Sequence, residues 1–422
     1  MPLPLLGLLF LVAAEYVGLG IFIPVYNALP IALGLSFLLF LQVVFNNTFG
    51  PVMQYKTAKY YLAFVFLTAS ALVHGLIQSY AINPLKVEVG YLMLMIITFY
   101  LVDNKKSVLL YAIMFTAVHV FLVFINLNKL GNARVGSFQA SFFLGDGNDF
   151  AWSLNVALPI AFYLVFSSKK LIIRLVAIAA IGMILLGIIG TQSRGASLAM
   201  VAGFLYYFLF VTKKKSSALL IISIVAGVVV MVAPDNYFNR METISNYEED
   251  TSAMGRIHAW RTATEMAVDH PLLGVGAGSF NSAYGRDYRK PDDPVRWIST
   301  HSVYFKVLAE YGFPGIIIFV LIIFSAIKTN NETVRLLKQK DPGNIQHLLW
   351  ARCLNWSLIA WGVGAMFLTG VDYPHLYLLV GLSMASHRMA TRIKTDSSVE
   401  EVKKKPWDEV DSVDHVRPDV FK

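Results

Sequence analysis

Long, uninterrupted blocks of apolar residues are the feature that most constrains the fold of this chain. The blocks run for about 16–24 residues, close to the ~20 that a helix needs to cross a hydrocarbon core ~30 Å thick. Only 15% of the 422 residues are charged, whereas soluble proteins carry about 25%. Block length and composition together predict an all-α, polytopic integral membrane protein.

Read as helices, the apolar blocks predict about twelve transmembrane spans. Their approximate bounds are 3–24, 28–45, 60–77, 87–102, 107–126, 150–166, 171–190, 195–211, 216–233, 301–327, 346–369 and 373–390. Residues 1–390 are then one transmembrane domain, and 391–422 are expected to form a disordered tail. The chain has no Lys or Arg before Lys56, so it lacks the basic region of a cleavable signal peptide and the first block is expected to remain as a span.

The distribution of basic residues between the spans predicts the orientation. Short loops after odd-numbered spans hold only Lys86, Lys129, Arg134 and Arg194. Loops after even-numbered spans and the tail hold most of the others, namely Lys56, Lys59, Lys105, Lys106, Lys169, Lys170, Arg174, Lys213, Lys214, Lys215, Lys328, Arg335, Lys338, Lys340, Arg388, Arg392, Lys394 and Lys403–Lys405. Because cytoplasmic loops carry the excess of Lys and Arg, both termini are predicted to be cytoplasmic.

One loop, residues 234–300 between predicted spans nine and ten, is much longer than the others. It contains seven Lys and Arg residues and ten Asp and Glu residues, so its cations are not explained by orientation alone. Arg256, Trp260 and Thr264 recur at four-residue intervals and predict an amphipathic helix over 256–269. His270-Pro271 is expected to end this helix, and Gly274, Gly276 and Gly278 to form turns.

Three short motifs on the predicted outer face carry residues suited to chemistry. Thr191-Gln192-Ser193-Arg194-Gly195 joins spans seven and eight, where an arginine is costly without an anionic partner. Ser252-Ala253-Met254-Gly255-Arg256 places a guanidinium at the start of the predicted helix, which favours anions. His301-Ser302-Val303-Tyr304-Phe305 opens span ten with an imidazole that can accept a proton near neutral pH.

Each motif also has a purely structural interpretation. Arg194 could reach the lipid interface by snorkelling, and Arg256 could pair in solvent with an acidic neighbour in 248–250. His301 could act as a helix cap. The single cysteine, Cys353, excludes intrachain disulfides and is expected to be a small buried helix residue. His74, His119 and His375 lack metal-ligand spacing and are expected to pack between helices.

Taken together, the two arginines and the histidine indicate one type of reaction. Arginine forks match the oxygens of a diphosphate, and a neighbouring histidine could deprotonate an incoming hydroxyl. The constellation favours transfer of a group from a membrane-anchored diphosphate to an alcohol.

In this order, the three motifs resemble those of the O-antigen ligase and polymerase superfamily of bacterial envelope glycosyltransferases. The stretch 247–256 with Ala259-Trp260, and His301-Ser302-Val303-Tyr304-Phe305, are similar to the O-glycosylation ligases found beside exosortase systems. The resemblance extends from about Gly145 to Gly315 in motifs, and over the whole chain in the number of spans and the position of the long loop.

This resemblance implies a GT-C-like membrane glycosyltransferase in the bacterial inner membrane, with a large periplasmic loop and a periplasmic active site. It implies transfer of a glycan from an undecaprenyl-diphosphate carrier to a hydroxyl of lipid A core or of a protein, with inversion. His301 is then the base, and Arg194 and Arg256 hold the diphosphate in place of a metal. Asp372, Arg261, Trp260 and Tyr304 are possible supporting residues, and no metal, other cofactor or nucleic acid is expected.

Two alternatives remain open at this point. A polymerase of the same superfamily would use another carrier-linked glycan as its acceptor. A transporter or flippase of lipid-linked sugars predicts inverted repeats and polar residues at the bilayer midplane, whereas this chain concentrates its charged motifs at one face.

Overall fold

The structure, a computed structural model, describes residues 2–28, 31–46, 49–130, 138–212, 214–233, 237–238, 251–291, 293 and 298–393. Throughout these ranges the regular elements are helical, which confirms the predicted all-α fold class. The first nine helices are α1 (Leu3–Val17), α2 (Leu19–Phe22), α3 (Pro24–Ala28), α4 (Ile31–Asn46), α5 (Gly50–Met53), α6 (Lys56–His74), α7 (Ile82–Leu101), α8 (Lys105–Ile125) and α9 (Gly147–Ser167). The others are α10 (Leu171–Gly190), α11 (Arg194–Tyr206), α12 (Lys215–Val232), α13 (Thr251–Asp269), α14 (Phe280–Ala283), α15 (Val303–Lys340), α16 (Ile345–Gly364) and α17 (His375–Thr391).

Several of these helices have the length and composition of membrane spans. Within the described ranges, six are long and apolar enough to cross a bilayer: Gln78–Leu101, Lys105–Ile125, Gly147–Ser167, Leu171–Gly190, Arg194–Val211 and Val303–Lys340. Shorter apolar helices cover Leu3–Val17, Ile31–Asn46 and Ala218–Met231. The polytopic membrane architecture is therefore confirmed, whereas the number of about twelve spans stays a prediction.

Two predicted spans differ most in extent from the observed helices. The block at 3–24 is interrupted at Gly18, whose φ of +67° ends α1 in a left-handed turn that glycine adopts without steric cost. The predicted span 301–327 continues as α15 to Lys340. Its extension stays helical because Thr333 and Leu337 are buried against neighbouring elements, a contribution that hydropathy does not register.

Helix α9 lies at the centre of the bundle and α10 at its edge. Helix α9 packs against α8, α10, α11 and α16 and is mostly buried, whereas most of α10 is not buried within the protein. The first half of α10 correspondingly exposes large apolar side chains, namely Leu171, Ile172, Ile173, Leu175, Val176 and Ile178. So large an apolar surface is unusual on a soluble protein and fits contact with lipid.

Polar side chains inside the bundle connect helices to one another. Asn330 of α15 donates hydrogen bonds to Asn355 Oδ1 of α16 and Ser383 Oγ of α17, both at 2.9 Å. His119 and Ser153 join α8 to α9 at 2.7 Å. These contacts fit the expected packing role of His119, and Cys353 is fully buried as predicted.

The charge alternation and the exposed positions give a direct test of orientation. The cysteine variant Arg286→Cys, made in the long loop, should react with a membrane-impermeant thiol reagent in intact spheroplasts. Ser216→Cys and Lys338→Cys, on the predicted cytoplasmic side, should react only after permeabilisation. The parent protein is the control, because its Cys353 is buried. Labelling of Ser216→Cys and Lys338→Cys in intact spheroplasts would contradict the predicted orientation.

Candidate functional site

Arg194 is the first residue of a helix. Helix α10 ends at Gly190, and Gln192 then turns the chain with a φ of +53°. Ser193 is the N-cap of α11, and its hydroxyl accepts a hydrogen bond from the Ala196 N–H at 3.3 Å. Arg194 therefore lies where the helix dipole favours an anion, half-buried at the end of the bundle.

The beginning of α11 is held closely against its neighbours. A Cβ at Gly195 would lie 3.0 Å from Cβ of Phe367, so the glycine permits close contact with the segment between α16 and α17. Asn155 of α9 donates to the carbonyls of Ala151 and Ala196 and so ties α9 to α11. The position of Arg194 is thus set by packing on two sides.

The long loop contributes α13, which rests on the beginning of α15. The indole Nε1 of Trp260 donates to the Thr300 carbonyl at 2.8 Å, and its ring stacks on Phe305 with centroids 5.0 Å apart. Arg256 lies one turn before Trp260 on the same face of α13. Arg261, in contrast, is exposed, and its supporting role stays a prediction.

The predicted helix at 256–269 begins earlier than expected. Helix α13 starts at Thr251 and ends at Asp269, just before His270 as predicted. Arg256 therefore lies in the second turn, beyond the first four N–H groups of the helix. The expectation that Arg256 stands at a helix start was wrong, and that arrangement belongs to Arg194 instead.

A small core within the loop supports α13. Ala259, Ala263 and Met266 are buried together with Phe280 and Tyr284 from the following turns. At the end of α13, the Tyr288 hydroxyl donates to an Asp269 carboxylate oxygen at 3.0 Å. Burial, followed by the effect of Asp269, raises the pKa of Tyr288 to about 12, so this donor stays protonated.

His301 is exposed and lies two residues before α15. Its φ is +44°, whereas Ser302 occupies the N-cap position. The Thr300 hydroxyl donates to the Ser302 carbonyl at 3.0 Å, and the Val303 N–H donates to the Ala365 carbonyl at 2.9 Å. Ser302 occupies the N-cap position of α15, without a side-chain cap hydrogen bond. The choice between a proton acceptor and a structural role for His301 stays a prediction.

These contacts bring the three motifs to one end of the bundle. The segment between α16 and α17 touches the first motif through Phe367 and the third through Ala365. Trp260 connects the second motif to Thr300, the residue preceding His301. Tyr304, a predicted supporting residue, donates to the Gly362 carbonyl at 2.9 Å and fixes α15 against α16.

Backbone strain also marks two of the three motifs. Among the described residues, the non-glycine residues with positive φ are Gln192 and His301. Such conformations cost about 1–3 kcal/mol each and concentrate at functional sites, where neighbouring structure holds them in place. This observation is independent of the motif spacing and identifies the same two places.

The structure adds Lys306, which sequence reasoning missed. Its Nζ lies 2.9 Å from Oδ1 of Asp372, and Glu310, one turn further along α15, is buried. Lys306 is thus a partner of the Asp372 carboxylate, whereas the predicted role of Asp372 in orienting His301 or the acceptor stays a prediction. The sequence did contain a signal for Lys306. It lies five residues after His301, in the first turns of a predicted span, where a charged side chain needs a partner.

A kink in α15 receives the turn that follows α13. Gly312 interrupts the helix with a φ of +66°, and the Phe313 N–H donates to the Pro271 carbonyl at 2.9 Å. A Cβ at Gly274 would lie 2.4 Å from the backbone of Glu310 and Tyr311, so this position requires glycine. The prediction that these glycines form turns is confirmed, and the turn packs the loop against α15.

A comparison with known families matches the part of the chain that contains this site. Residues 178–320 match the family model described as O-antigen ligase (Wzy_C). The matched segment runs from α10 into α15 and contains Arg194, Arg256 and His301. The predicted resemblance to the O-antigen ligase superfamily is confirmed, and the exosortase-associated branch stays a prediction. A search of the curated proteins finds no match.

The Lys306–Asp372 ion pair predicts a measurable loss of stability. Asp372→Asn should lower the free energy of unfolding by about 1–2 kcal/mol, since Lys306 is mostly buried and Asp372 half-exposed. Thermal unfolding of the purified protein in detergent measures this change. Asp287→Asn is the control, because Asp287 and Arg286 form an exposed pair at 3.7 Å. Equal effects of the two variants would contradict a structural role for the Lys306–Asp372 pair.

Proposed function

We propose that this protein transfers a glycan from an undecaprenyl-diphosphate carrier to an acceptor hydroxyl at the periplasmic face of the bacterial inner membrane. The observation that carries the proposal is that the three motifs are connected at one end of the bundle. The segment between α16 and α17 touches the first and third motifs, and Trp260 connects the second motif to Thr300 beside the third. The O-antigen ligase match supports a ligase that acts on lipid-linked glycans.

In the proposed reaction, the acceptor oxygen attacks the anomeric carbon from the side opposite the diphosphate. The new bond joins the acceptor oxygen to that carbon, while the bond from the carbon to the diphosphate oxygen breaks with its electron pair. His301 takes the hydroxyl proton. Because diphosphate is a good leaving group, the step needs no dedicated general acid. Because the attack comes from the opposite side, the anomeric centre is inverted.

Arg194 and Arg256 are proposed to hold the diphosphate and to stabilise the charge that grows on it. Arg194 adds the dipole of α11 to its own charge, since it begins that helix. Each charge-assisted hydrogen bond contributes ~1.5–3 kcal/mol, and preorganised donors act most strongly where charge develops. Arg256 lies on α13, one turn before Trp260, which donates to the carbonyl of Thr300, the residue before His301.

His301 is proposed as the base because it is exposed at the end of the bundle in a constrained backbone conformation. Lys306 and Asp372 lie on the two elements that adjoin it and are proposed to hold those elements together. In this proposal, the Lys306–Asp372 pair holds the two elements in position, and the His301 imidazole accepts the proton.

The roles of the three residues predict different kinetic defects. Arg194→Ala and Arg256→Ala should weaken donor binding as well as turnover, and lysine should restore little because it lacks the bidentate fork. His301→Gln should retain donor binding while transfer falls by roughly 10²-fold or more, since an amide cannot accept the proton. Donor binding and single-turnover transfer are measured separately on purified protein.

Arg286→Ala provides the matched control for these variants. It removes an exposed guanidinium from the same loop as Arg256 and should change both measurements by less than about 2-fold. Near-normal transfer by a folded His301→Gln would rule out His301 as the base. Products formed on a second carrier-linked glycan, with none on lipid A core or protein, would assign the protein as a polymerase.

The arginine assignment also predicts that transfer does not require a divalent metal. Activity of the purified protein should survive excess chelator, because guanidinium groups neutralise the diphosphate in place of a cation. A control reaction with added magnesium should proceed at the same rate. Activity that is lost on chelation and restored by magnesium or manganese would contradict this reading of the site.

A further inference from the structure

A cationic cavity lies at the end of the bundle opposite to the candidate site. Its volume is about 490 Å³, within the range of small-ligand pockets. It is formed where the beginning of α6 and the end of α7 meet α17 and the middle of α15. By the charge alternation between spans, all four of these places are predicted to face the cytoplasm.

The lining of this cavity carries a positive charge excess. Lys56, Lys328 and Arg388 line it together with His387, and Glu332 is the acidic residue among the lining side chains. Lys56 and Lys328 are exposed and reach the cavity from different helices. Such an arrangement suits an anion with several acceptor oxygens.

Among the lining residues, Arg388 gives the strongest indication of an anionic ligand. It is only 8% exposed, its guanidinium lies 4.3 Å from the centroid of the Phe99 ring, and its Nη2 donates to the Tyr100 carbonyl at 3.3 Å. Its Nε is buried and has no hydrogen-bond partner within the described part of the chain. Burying a guanidinium charge is costly, and because Arg388 lines the cavity, an anion bound there would offset that cost.

The beginning of α6 points to the same kind of ligand. Lys56 is the first residue of α6, and Tyr55 before it forms no side-chain cap. A cation at this position opposes the helix dipole, whereas an anion beside it is favoured. An anion in the cavity would satisfy both the uncapped helix and the lysine.

We propose that this cavity binds the phosphate group of an anionic lipid from the cytoplasmic leaflet. The phosphate is recognised by Arg388, Lys56 and Lys328. The choice of a lipid over a soluble phosphate rests on the surroundings, since Phe324, 64% exposed, lies one turn before Lys328 on α15. An apolar surface beside a cationic pocket at the predicted membrane boundary matches both parts of a phospholipid.

Lipid binding to the intact, purified protein tests the proposal. Native mass spectrometry would follow titrations with phosphatidylglycerol, phosphatidylcholine and inorganic phosphate. Phosphatidylglycerol should bind at least about 10-fold more tightly than phosphatidylcholine. The double variant Lys56→Gln/Lys328→Gln should weaken this binding by about 10- to 30-fold, from the contribution of each basic residue near an anionic lipid.

The matched control is Lys59→Gln/Arg335→Gln. It removes the same charge from exposed positions on the same two helices, outside the cavity lining, and should change affinity by less than about 3-fold. Both double variants alter exposed residues, so they avoid the packing that Arg388→Gln would disturb. Thermal unfolding verifies that each is folded.

Three results would overturn the proposal. Equal weakening by the two double variants would mean that only surface charge attracts the lipid. Equal affinity for phosphatidylglycerol and phosphatidylcholine would remove the role of anionic charge. Inorganic phosphate that binds as tightly as phosphatidylglycerol, with the same sensitivity to Lys56→Gln/Lys328→Gln, would identify a soluble anion as the occupant. Because binding is measured directly, none of these results depends on glycan transfer.

Discussion

The lack of hydrogen-bond partners in the hydrocarbon core is the constraint on which this architecture depends. Backbone groups inside a bilayer must be satisfied by helices, so irregular backbone is confined to protein-covered places and to the ends of the bundle. Gln192 and His301, with their left-handed backbone, occur where helices begin. Helix ends are also where charged side chains can meet water and headgroups, and the same restriction therefore gathers the candidate chemistry at one end.

Sequence reasoning identified the helical membrane class and the three motifs, because hydropathy and motif chemistry are local properties. It also predicted the end of α13 and the turns at the following glycines. It misplaced Arg256 relative to the start of α13, because it began the helix at the four-residue repeat of Arg256, Trp260 and Thr264. The start signal of Asp250, Thr251 and Ser252, residue types common at helix N-termini, was not used. Lys306 was missed because its partner, Asp372, lies 66 residues further along the chain.

The two ends of the bundle use cations in different ways. At the proposed periplasmic end, Arg194 and Arg256 come from α11 and from the loop helix α13, so their separation depends on how the loop docks onto α15. At the opposite end, Arg388 is fixed within α17 by Phe99 and Tyr100. A donor that must enter and leave suits the first arrangement, whereas a lipid that stays bound suits the second.

The strained backbone at His301 explains why elements distant in sequence must cooperate. A left-handed histidine persists only when its neighbours hold it, and here the restraint comes from both sides. Trp260 of the loop helix engages the Thr300 carbonyl, and the Ala365 carbonyl engages the Val303 N–H. The geometry of the proposed base therefore depends on the docked loop and on the segment between α16 and α17. The helix that carries Arg256 thus also restrains the backbone beside His301, so a change in loop docking would alter the proposed donor and base sites together.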